Sequence, residues 1–202
     1  VACGGFSYGD VLGAGRGWAQ VILNNAGLTT QFRDFFANPK RFALGVCNGC
    51  QMLSQLQSLI PGSDHWPRFT YNASGRFESR VCLTKVEKSP SLFFQGMEGS
   101  VLSVVAAHGE GKTQWPDAQE KSCLSYVDNR HQVTESYPEN PNGSVAGQTA
   151  FTNNDGRITI MMPHPERVFL LQQQTWKTGY EMGESPWWVF FNNARQWVGE
   201  KS

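Results

Sequence analysis

The sequence predicts an α/β protein with an open, doubly wound and mostly parallel sheet to which antiparallel strands are added. Three observations predict this class. Short apolar runs alternate with helical patterns in the first part of the chain, one buried strand enters a helix through a glycine-flanked turn, and five strand-like segments follow from Arg76 onward. Because 40% of the 202 residues are hydrophobic, the chain is expected to fold around a real core.

The first half is predicted to contain a helix, a buried strand and a second helix. Apolar residues recur at helical spacing around Phe32, and Asn38 with Pro39 ends that pattern. Phe42–Val46 is a short apolar run, typical of a buried parallel strand. A second helical pattern begins at Cys50, stops before Pro61 and Gly62, and has an apolar face made of Met52, Leu53, Leu56 and Ile60.

From Arg76 onward the chain is predicted to be mostly strands and to end in a helix. The strand-like segments are Arg76–Glu87, Val101–Ala107, Leu124–Val127, Val145–Thr152 and Arg157–Met162, with a hairpin turn at Asn153–Gly156. Ser185 and Pro186 begin a helix with an apolar stripe of Trp187, Phe190, Phe191, Ala194, Trp197 and Val198. Since no repeat or linker divides the chain, residues 1–202 are expected to form one domain.

Composition narrows the class of partner. The 17 basic residues balance the 17 acidic ones, so charge gives no reason to propose nucleic acid or an anionic membrane as a partner. The five cysteines are odd in number and scattered, which favours a reducing, cytoplasmic location over a disulfide framework. Val1–Cys3 has the pattern of a strand tail that enters a glycine loop directly, so we expect the chain to be a piece of a longer protein.

Cys47 is the first candidate for chemistry. Gly45 and Gly49 flank it between a strand and a helix, which is the pattern of a nucleophile elbow. At a helix N-terminus the macrodipole favours a thiolate, and the N–H of Asn48 is free to bind an oxyanion. Cys47 and Cys50 also form C-x-x-C, so a redox pair, half a zinc site and buried structural cysteines stay open.

His164 and Glu166 are the candidate base and its partner. They follow a predicted strand, and residues i and i+2 of an extended segment share a face. A carboxylate that holds one imidazole nitrogen leaves the other for the thiol, as in a catalytic triad. The alternative is a proline-rich surface turn in which both side chains are solvated. Among the other histidines, only His108, at a strand end, is predicted near the pocket.

Gly4–Asp10 is a glycine-rich loop after the first strand tail. It lacks both the G-x-G-x-x-G pattern and a Walker lysine, which leaves phosphate binding as the weaker interpretation. Beside a nucleophile elbow, such a loop supplies the second backbone donor of an oxyanion site. Gly5 or an adjacent residue is the candidate donor.

Together, the glycine loop, the cysteine elbow and His-x-Glu resemble the class I, triad-type glutamine amidotransferases, in the family's order. Gly4–Asp10, Gly45–Leu53, His108–Gly111 and Pro163–Arg167 are similar to the glutaminase domain of the phosphoribosylformylglycinamidine synthase family. Ser89–Gly99, Tyr137–Ser144 and the tail from Ser185 to Trp187 favour that family's large single-chain type. The resemblance covers essentially all 202 residues and implies a flavodoxin-like fold.

The resemblance implies a role for each candidate residue. Cys47 would be the nucleophile, His164 the general base and then acid, and Glu166 the orienting carboxylate. Gly5 and Asn48 would bind the oxyanion. The glutamine-binding residues would be Gln51 together with the backbone at Ala107, His108 and Gly109.

The implied chemistry is a γ-glutamyl thioester, released ammonia and hydrolysis to glutamate. Ammonia would reach an ATP-dependent synthetase part of the same enzyme that converts formylglycinamide ribonucleotide to its amidine. No cofactor or metal is expected in this domain, whereas ATP and Mg²⁺ belong to the synthetase. Because the family's domains begin with a strand and helix upstream of Val1, we expect this C-terminal piece to be unstable alone. A related cysteine hydrolase, another amidotransferase and a non-catalytic regulatory module are the alternatives.

Overall fold

The computed structural model describes residues 1–115, 122–174 and 183–201, and it confirms the predicted α/β class. The helices in the described residues are α1 (Arg16–Leu23), α2 (Ala26–Ala37), α3 (Asn48–Gln55) and α4 (Trp187–Lys201). The strands there are β1 (Ala43–Val46), β2 (Arg68–Thr70), β3 (Glu78–Val86), β4 (Val101–His108), β5 (Lys112–Gln114), β6 (Leu124–Val127), β7 (Gln148–Thr152) and β8 (Ile158–Met161).

Six strands form the main sheet, in the order β1-β8-β7-β6-β3-β4, and β2 pairs with β5 separately. Only β1 and β8 form a parallel ladder among the described strands; the other pairings are antiparallel. In the described sheet, antiparallel pairings therefore outnumber the parallel one, whereas the sequence predicts a mostly parallel sheet. The reason is that β3, β4, β6 and β7 pair with one another or with β8 in antiparallel register.

The first residues extend the sheet beyond β1. Ala2 makes a parallel bridge to Gly45: its N–H donates to the Leu44 carbonyl at 2.8 Å, and its carbonyl accepts from Val46 N–H at 3.0 Å. The predicted strand tail is thus present, although Val1 and Cys3 are exposed and not buried. The further strand and helix expected upstream of Val1 stay a prediction.

The sheet curls so that distant strand ends meet. His164, just after β8, bridges to Val105 in the middle of β4, with its N–H donating to the Val105 carbonyl at 2.8 Å. The C-terminal end of β1 runs parallel to β8 and lies beside the same place. The curl therefore brings the ends of β1, β8 and β4 together at one edge, where the candidate site lies.

The last helix packs on the core as predicted. The N–H of Trp187 donates to the hydroxyl of Ser185 at 3.2 Å, so Ser185 caps α4. Phe190 is buried and stacks on Phe93 with ring centroids 4.9 Å apart. Val198 departs from the predicted stripe, since it is 47% exposed.

Some elements differ from the prediction. The sequence pattern does not predict α1, because its start, after Gly15 at a φ of 68°, lies in a glycine-rich stretch without a side-chain cap. α3 ends at Gln55, and a short 3-10 turn at Gln57–Leu59 carries the chain on to the buried Ile60. In the described ranges, no helix has the length and apolar character needed to cross a membrane.

Candidate active site

Cys47 occupies the sharp turn between β1 and α3. Its φ of 53° and ψ of −110° lie in a region that residues other than glycine rarely adopt, so the backbone is strained there. Its N–H donates to the Met161 carbonyl at 2.9 Å, and its carbonyl accepts from Gln51 N–H at 3.0 Å. The turn has the geometry of a nucleophile elbow, which confirms the predicted local structure.

The two glycines beside Cys47 are required by close packing. A Cβ on Gly45 would lie 2.8 Å from the Gly49 carbonyl oxygen, and a Cβ on Gly49 would lie 2.0 Å from the Ala2 carbonyl oxygen. Both distances are shorter than any normal carbon–oxygen contact. The glycine spacing therefore lets the strand, the helix and the first residues of the chain pack tightly around the cysteine.

His164 and Glu166 form a hydrogen-bonded pair at the end of β8. Nδ1 of His164 donates to Oε1 of Glu166 at 2.6 Å. His164 is extended, but Pro165–Arg167 forms a 3-10 turn, so the two side chains meet across this turn and not along a continued strand. The imidazole is buried, whereas the carboxylate is about half exposed and lies 3.7 Å from Nε of Arg167. The solvated-turn alternative therefore does not describe His164.

Cys47 and His164 lie against the same glycine. A Cβ on Gly4 would be 3.2 Å from Cβ of Cys47 and 2.9 Å from Cε1 of His164. The thiol of Cys47 donates to the Ala107 carbonyl, with Sγ 3.6 Å from that oxygen. Nε2 of His164 is buried and has no hydrogen-bond partner at normal distance within the described part of the chain. Nε2 of His164 is therefore not engaged by another group of the described residues and can interact with Cys47.

Electrostatics favour a charged imidazole. Burial acts to lower the pKa of His164, but its interactions with Cys47 and Glu166 outweigh burial and raise that pKa to about 9. Burial likewise acts to raise the pKa of Glu166, but the hydrogen bond and charge of His164 lower it overall. At neutral pH the pair is thus an imidazolium held by a carboxylate.

A cavity of about 440 Å³ opens in front of Cys47 and His164. This size lies within the range of small-molecule sites, roughly 300–1,000 Å³. Predicted residues that line it are Gly5, Gln51, Ala107, His108 and Gly109. Asn48 is buried beside it, and as the first residue of α3 its N–H has no partner within the helix.

The side chain of Gln51 connects α3 to the opposite wall of the cavity. Its Nε2 donates to the Glu110 carbonyl at 2.7 Å, while its Oε1 accepts from Nδ2 of Asn48 at 3.2 Å. We call Ala107–Gly111, the segment that ends β4, the wall. The wall accepts hydrogen bonds from both ends of the elbow: Ala107 from the Cys47 thiol and Glu110 from Gln51.

Cys50 lies in the hydrophobic core beneath the elbow and is fully buried. Burial, together with the charges of Cys47 and Cys123, raises its pKa well above the ordinary value, which disfavours a thiolate. The structure therefore favours a structural role for Cys50 over a redox pair. Among the described residues, no group of three or more potential metal ligands comes together.

Several residues at the site were given no role of their own in the sequence analysis. Glu110 and Arg167 add charge to the cavity, and Tyr71 with Phe77 adds aromatic surface at its mouth. Asn72 and Asn142 bind the wall from two other loops. Each asparagine precedes a small residue and a serine, which has the form of a glycosylation sequon, but both are buried. In the sequence, the position of Asn72 and Asn142 before tight turns indicates loops, but it does not indicate which segment their side chains contact.

Comparison with known proteins gives a matching family and similar solved structures. Residues 1–198 match the model of the CobB/CobQ-like glutamine amidotransferase domain family. The fold is similar to a solved structure of PurLQS from Thermotoga maritima, with 24% sequence identity and a TM-score of 0.65 over 98% of this chain and 76% of that one. A putative GMP synthase protein from Thermoplasma acidophilum is more distant: 13% identity, a TM-score of 0.48, and 89% and 68% coverage of the two chains.

Proposed function

Because the chain belongs to the family of CobB/CobQ-like glutamine amidotransferase domains, we propose that it hydrolyses glutamine to glutamate and ammonia with Cys47 as the nucleophile. One observation carries the proposal. Cys47 lies in a strained elbow at the cavity floor, beside a buried His164 whose second nitrogen is bound by Glu166. This is the arrangement in which a thiol is activated by a positioned base.

The reaction begins from an ion pair in which Nε2 of His164 already holds the proton of the Cys47 thiol, since this imidazole is charged at neutral pH. The sulfur attacks the side-chain amide carbon of glutamine, the imidazolium donates its proton to the leaving nitrogen, and ammonia departs from a glutamyl thioester. Water then attacks the thioester while His164 accepts one of its protons. The carbon–sulfur bond breaks, glutamate leaves and the ion pair of Cys47 and His164 is restored, so glutamine and water balance glutamate and ammonia.

The cavity supports this substrate. The backbone N–H groups of Gly5 and Asn48 are the proposed donors to the oxyanion that forms on the amide carbon. Glutamine also carries an α-ammonium and an α-carboxylate, and the cavity lining offers charges of both signs in Asp10, Glu110 and Arg167. Gln51 and the wall would hold the remainder of the substrate.

We further propose that the ammonia feeds an ATP-dependent synthetase part of the same enzyme. The sequence resemblance favours conversion of formylglycinamide ribonucleotide to its amidine, with ATP and Mg²⁺ bound outside this domain. The likeness to PurLQS supports this choice of synthetase. Two segments that favour the single-chain type pack together: Phe94 meets Trp187 with ring centroids 6.4 Å apart.

Exposed aromatic residues line the cavity, and their exposure supports the proposal that a partner covers its mouth. We call Phe6, Tyr71 and Phe77 the mouth aromatics; they line the cavity and are 73%, 69% and 54% exposed. Phe6 and Phe77 lie with ring centroids 6.2 Å apart. Clustered exposed apolar side chains mark interaction sites. A synthetase docked there would keep released ammonia out of bulk water.

The complete enzyme provides the test of the nucleophile. In Cys47→Ala, glutamine-dependent synthesis should fall by a factor on the order of 10⁴ or more, while external ammonia still supports synthesis. Cys3→Ala is the matched control, because Cys3 is exposed and its hydrogen bond to the elbow, from Gly49 N–H to its carbonyl, uses backbone atoms that alanine keeps. Retained use of glutamine by Cys47→Ala would overturn the proposal.

The mouth aromatics are tested by the ratio of glutamate released to amidine formed. Phe77→Ser should raise this ratio well above one, because ammonia escapes from a loosened junction. Val145→Ser is the control, since Val145 is equally exposed, at 54%, but does not line the cavity. Equal ratios in the two variants would contradict docking at this surface.

A further inference from the structure

Two buried asparagines lie behind the wall and outside the cavity lining. Asn72 follows β2 and Asn142 follows β6, so they come from loops far apart in sequence. Both are nearly inaccessible to solvent. Their side chains nevertheless converge on the same short segment, which no element of regular structure holds after β4 ends at His108.

Both the nitrogen and the oxygen of the Asn72 side-chain amide form hydrogen bonds with backbone atoms. Its Nδ2 donates to the His108 carbonyl at 2.8 Å and to the Arg76 carbonyl at 2.9 Å, while its Oδ1 accepts from Gly111 N–H at 2.9 Å. Its own N–H donates to the Gly109 carbonyl at 2.9 Å. Asn72 therefore bonds to three of the five wall residues.

Asn142 holds the other side of the same segment. Its Nδ2 donates to the Gly111 carbonyl at 2.8 Å and lies 3.2 Å from Nε2 of His108, while its Oδ1 accepts from Ser144 N–H at 3.0 Å. Because an amide N–H faces Nε2, that nitrogen is the acceptor and the ring proton belongs on Nδ1. Burial and the charge of His164 lower the pKa of His108 to about 3, so its imidazole is neutral.

The wall is tightly packed between these hydrogen bonds. A Cβ on Gly111 would lie 2.1 Å from Cδ2 of His108, so the segment folds back on itself without room for a methyl group. The two asparagine loops are also joined to each other, since Ala73 N–H donates to the Asn142 carbonyl at 3.0 Å. A displacement of either asparagine would therefore be felt at Gly109 and Glu110 in the cavity.

We propose that Asn72 and Asn142 are positioning residues for glutamine, which set the wall in place without touching the substrate. The inference rests on the proposed glutaminase function. The elbow, the base and the carboxylate lie on other elements, so loss of either asparagine should weaken glutamine binding and leave the chemical step nearly intact. Removal of uniform binding raises KM with kcat unchanged.

The test measures glutamine kinetics in the complete enzyme. Asn142→Ala should raise the KM for glutamine by a factor on the order of 10, with kcat within about threefold, because small misplacements of a binding segment have effects of this size. Asn142→Asp is the isosteric second variant: it keeps the acceptor for Ser144 N–H but turns an acceptor toward Gly111 and His108. It should raise KM in the same direction.

Asn153→Ala is the matched control. Asn153 is equally buried and its side chain also bonds two backbone groups, at Pro61 and Ile158, but it lies away from the cavity. A similar rise in KM in Asn153→Ala, or an unchanged KM in a folded Asn142→Asp, would overturn the proposal. Ammonia-dependent synthesis should stay unchanged in all three variants. If the unaltered enzyme used no glutamine, the proposed function itself would fail, which is a separate outcome.

Discussion

The two sides of the cavity are built in different ways. The elbow at Cys47 is shaped by its immediate neighbours, because β1, Gly45, Gly49 and α3 are continuous in sequence. The wall faces it only 3.6 Å from the thiol, yet the wall depends on side chains from two distant loops. The turn at the nucleophile is therefore set by local backbone geometry together with backbone contacts to Met161 and Cys3, whereas the wall is held by side-chain hydrogen bonds from distant loops.

This difference separates two kinds of sensitivity. A change in the elbow disturbs backbone contacts that cannot be replaced, so we expect loss of folding or of chemistry. A change behind the wall removes individual hydrogen bonds, so we expect altered binding. Gln51, whose side chain spans from α3 to Glu110, connects the two regions.

The largest expected effect comes from Gly49→Ala. Its Cβ would lie 2.0 Å from the Ala2 carbonyl oxygen, where backbone must move, so the free energy of unfolding should fall by about 3 kcal/mol or more. Gly199→Ala changes a glycine of α4 whose added Cβ would meet no atom within 4 Å, so it should instead raise the free energy of unfolding by about 0.5–1 kcal/mol. Denaturant unfolding measures the free energy of unfolding of both variants. If the two variants were equally stable, the elbow would tolerate a side chain at position 49.

The titration of His164 is the second test. Its pKa is raised to about 9 by Cys47 and Glu166 against the effect of burial. In Cys47→Ala and in Glu166→Gln, the pKa should fall toward the ordinary value of about 6.5, as measured by NMR of the imidazole. Cys3→Ala should leave it unchanged. If the pKa stays near 9 in Cys47→Ala, the raised pKa of His164 does not depend on Cys47.

The same shift makes stability depend on pH. Because the folded-state pKa of His164 lies above its unfolded value, its contribution is complete below pH 6.5 and is lost as pH rises through about 9. The difference in unfolding free energy between the protein and His164→Gln should therefore shrink across that interval. A constant difference would contradict the charged imidazole.

The smallest expected effect is the coupling between the two regions. Gln51→Ala and Asn142→Ala both loosen the wall, so their effects on glutamine KM should be non-additive by about 0.5–1 kcal/mol. Gln51→Ala combined with Asn153→Ala should be additive, since those residues share no partner. Full additivity in the first pair would mean that elbow and wall respond independently.

Much of the site was predictable because its signals are local. The glycines beside Cys47 and the spacing of His164 and Glu166 encode an elbow and a hydrogen-bonded pair within a few residues each. The fold class followed from strand and helix periodicity in the same way. α1, β2 and β5 were missed because they are short or begin in glycine-rich sequence with few local signals.

By itself, the sequence determined the α/β class, the elbow and the His-x-Glu pair, since backbone conformation there depends on adjacent residues. Only the tertiary structure decided that the sheet curls to bring β4 beside His164, that Ala107 accepts from the Cys47 thiol, and that Asn72 and Asn142 bind the wall. The hydrogen bonds from Asn142, Asn72 and Cys47 to the wall join residues from 31 to 60 positions apart, and their partners are set by packing of the whole sheet.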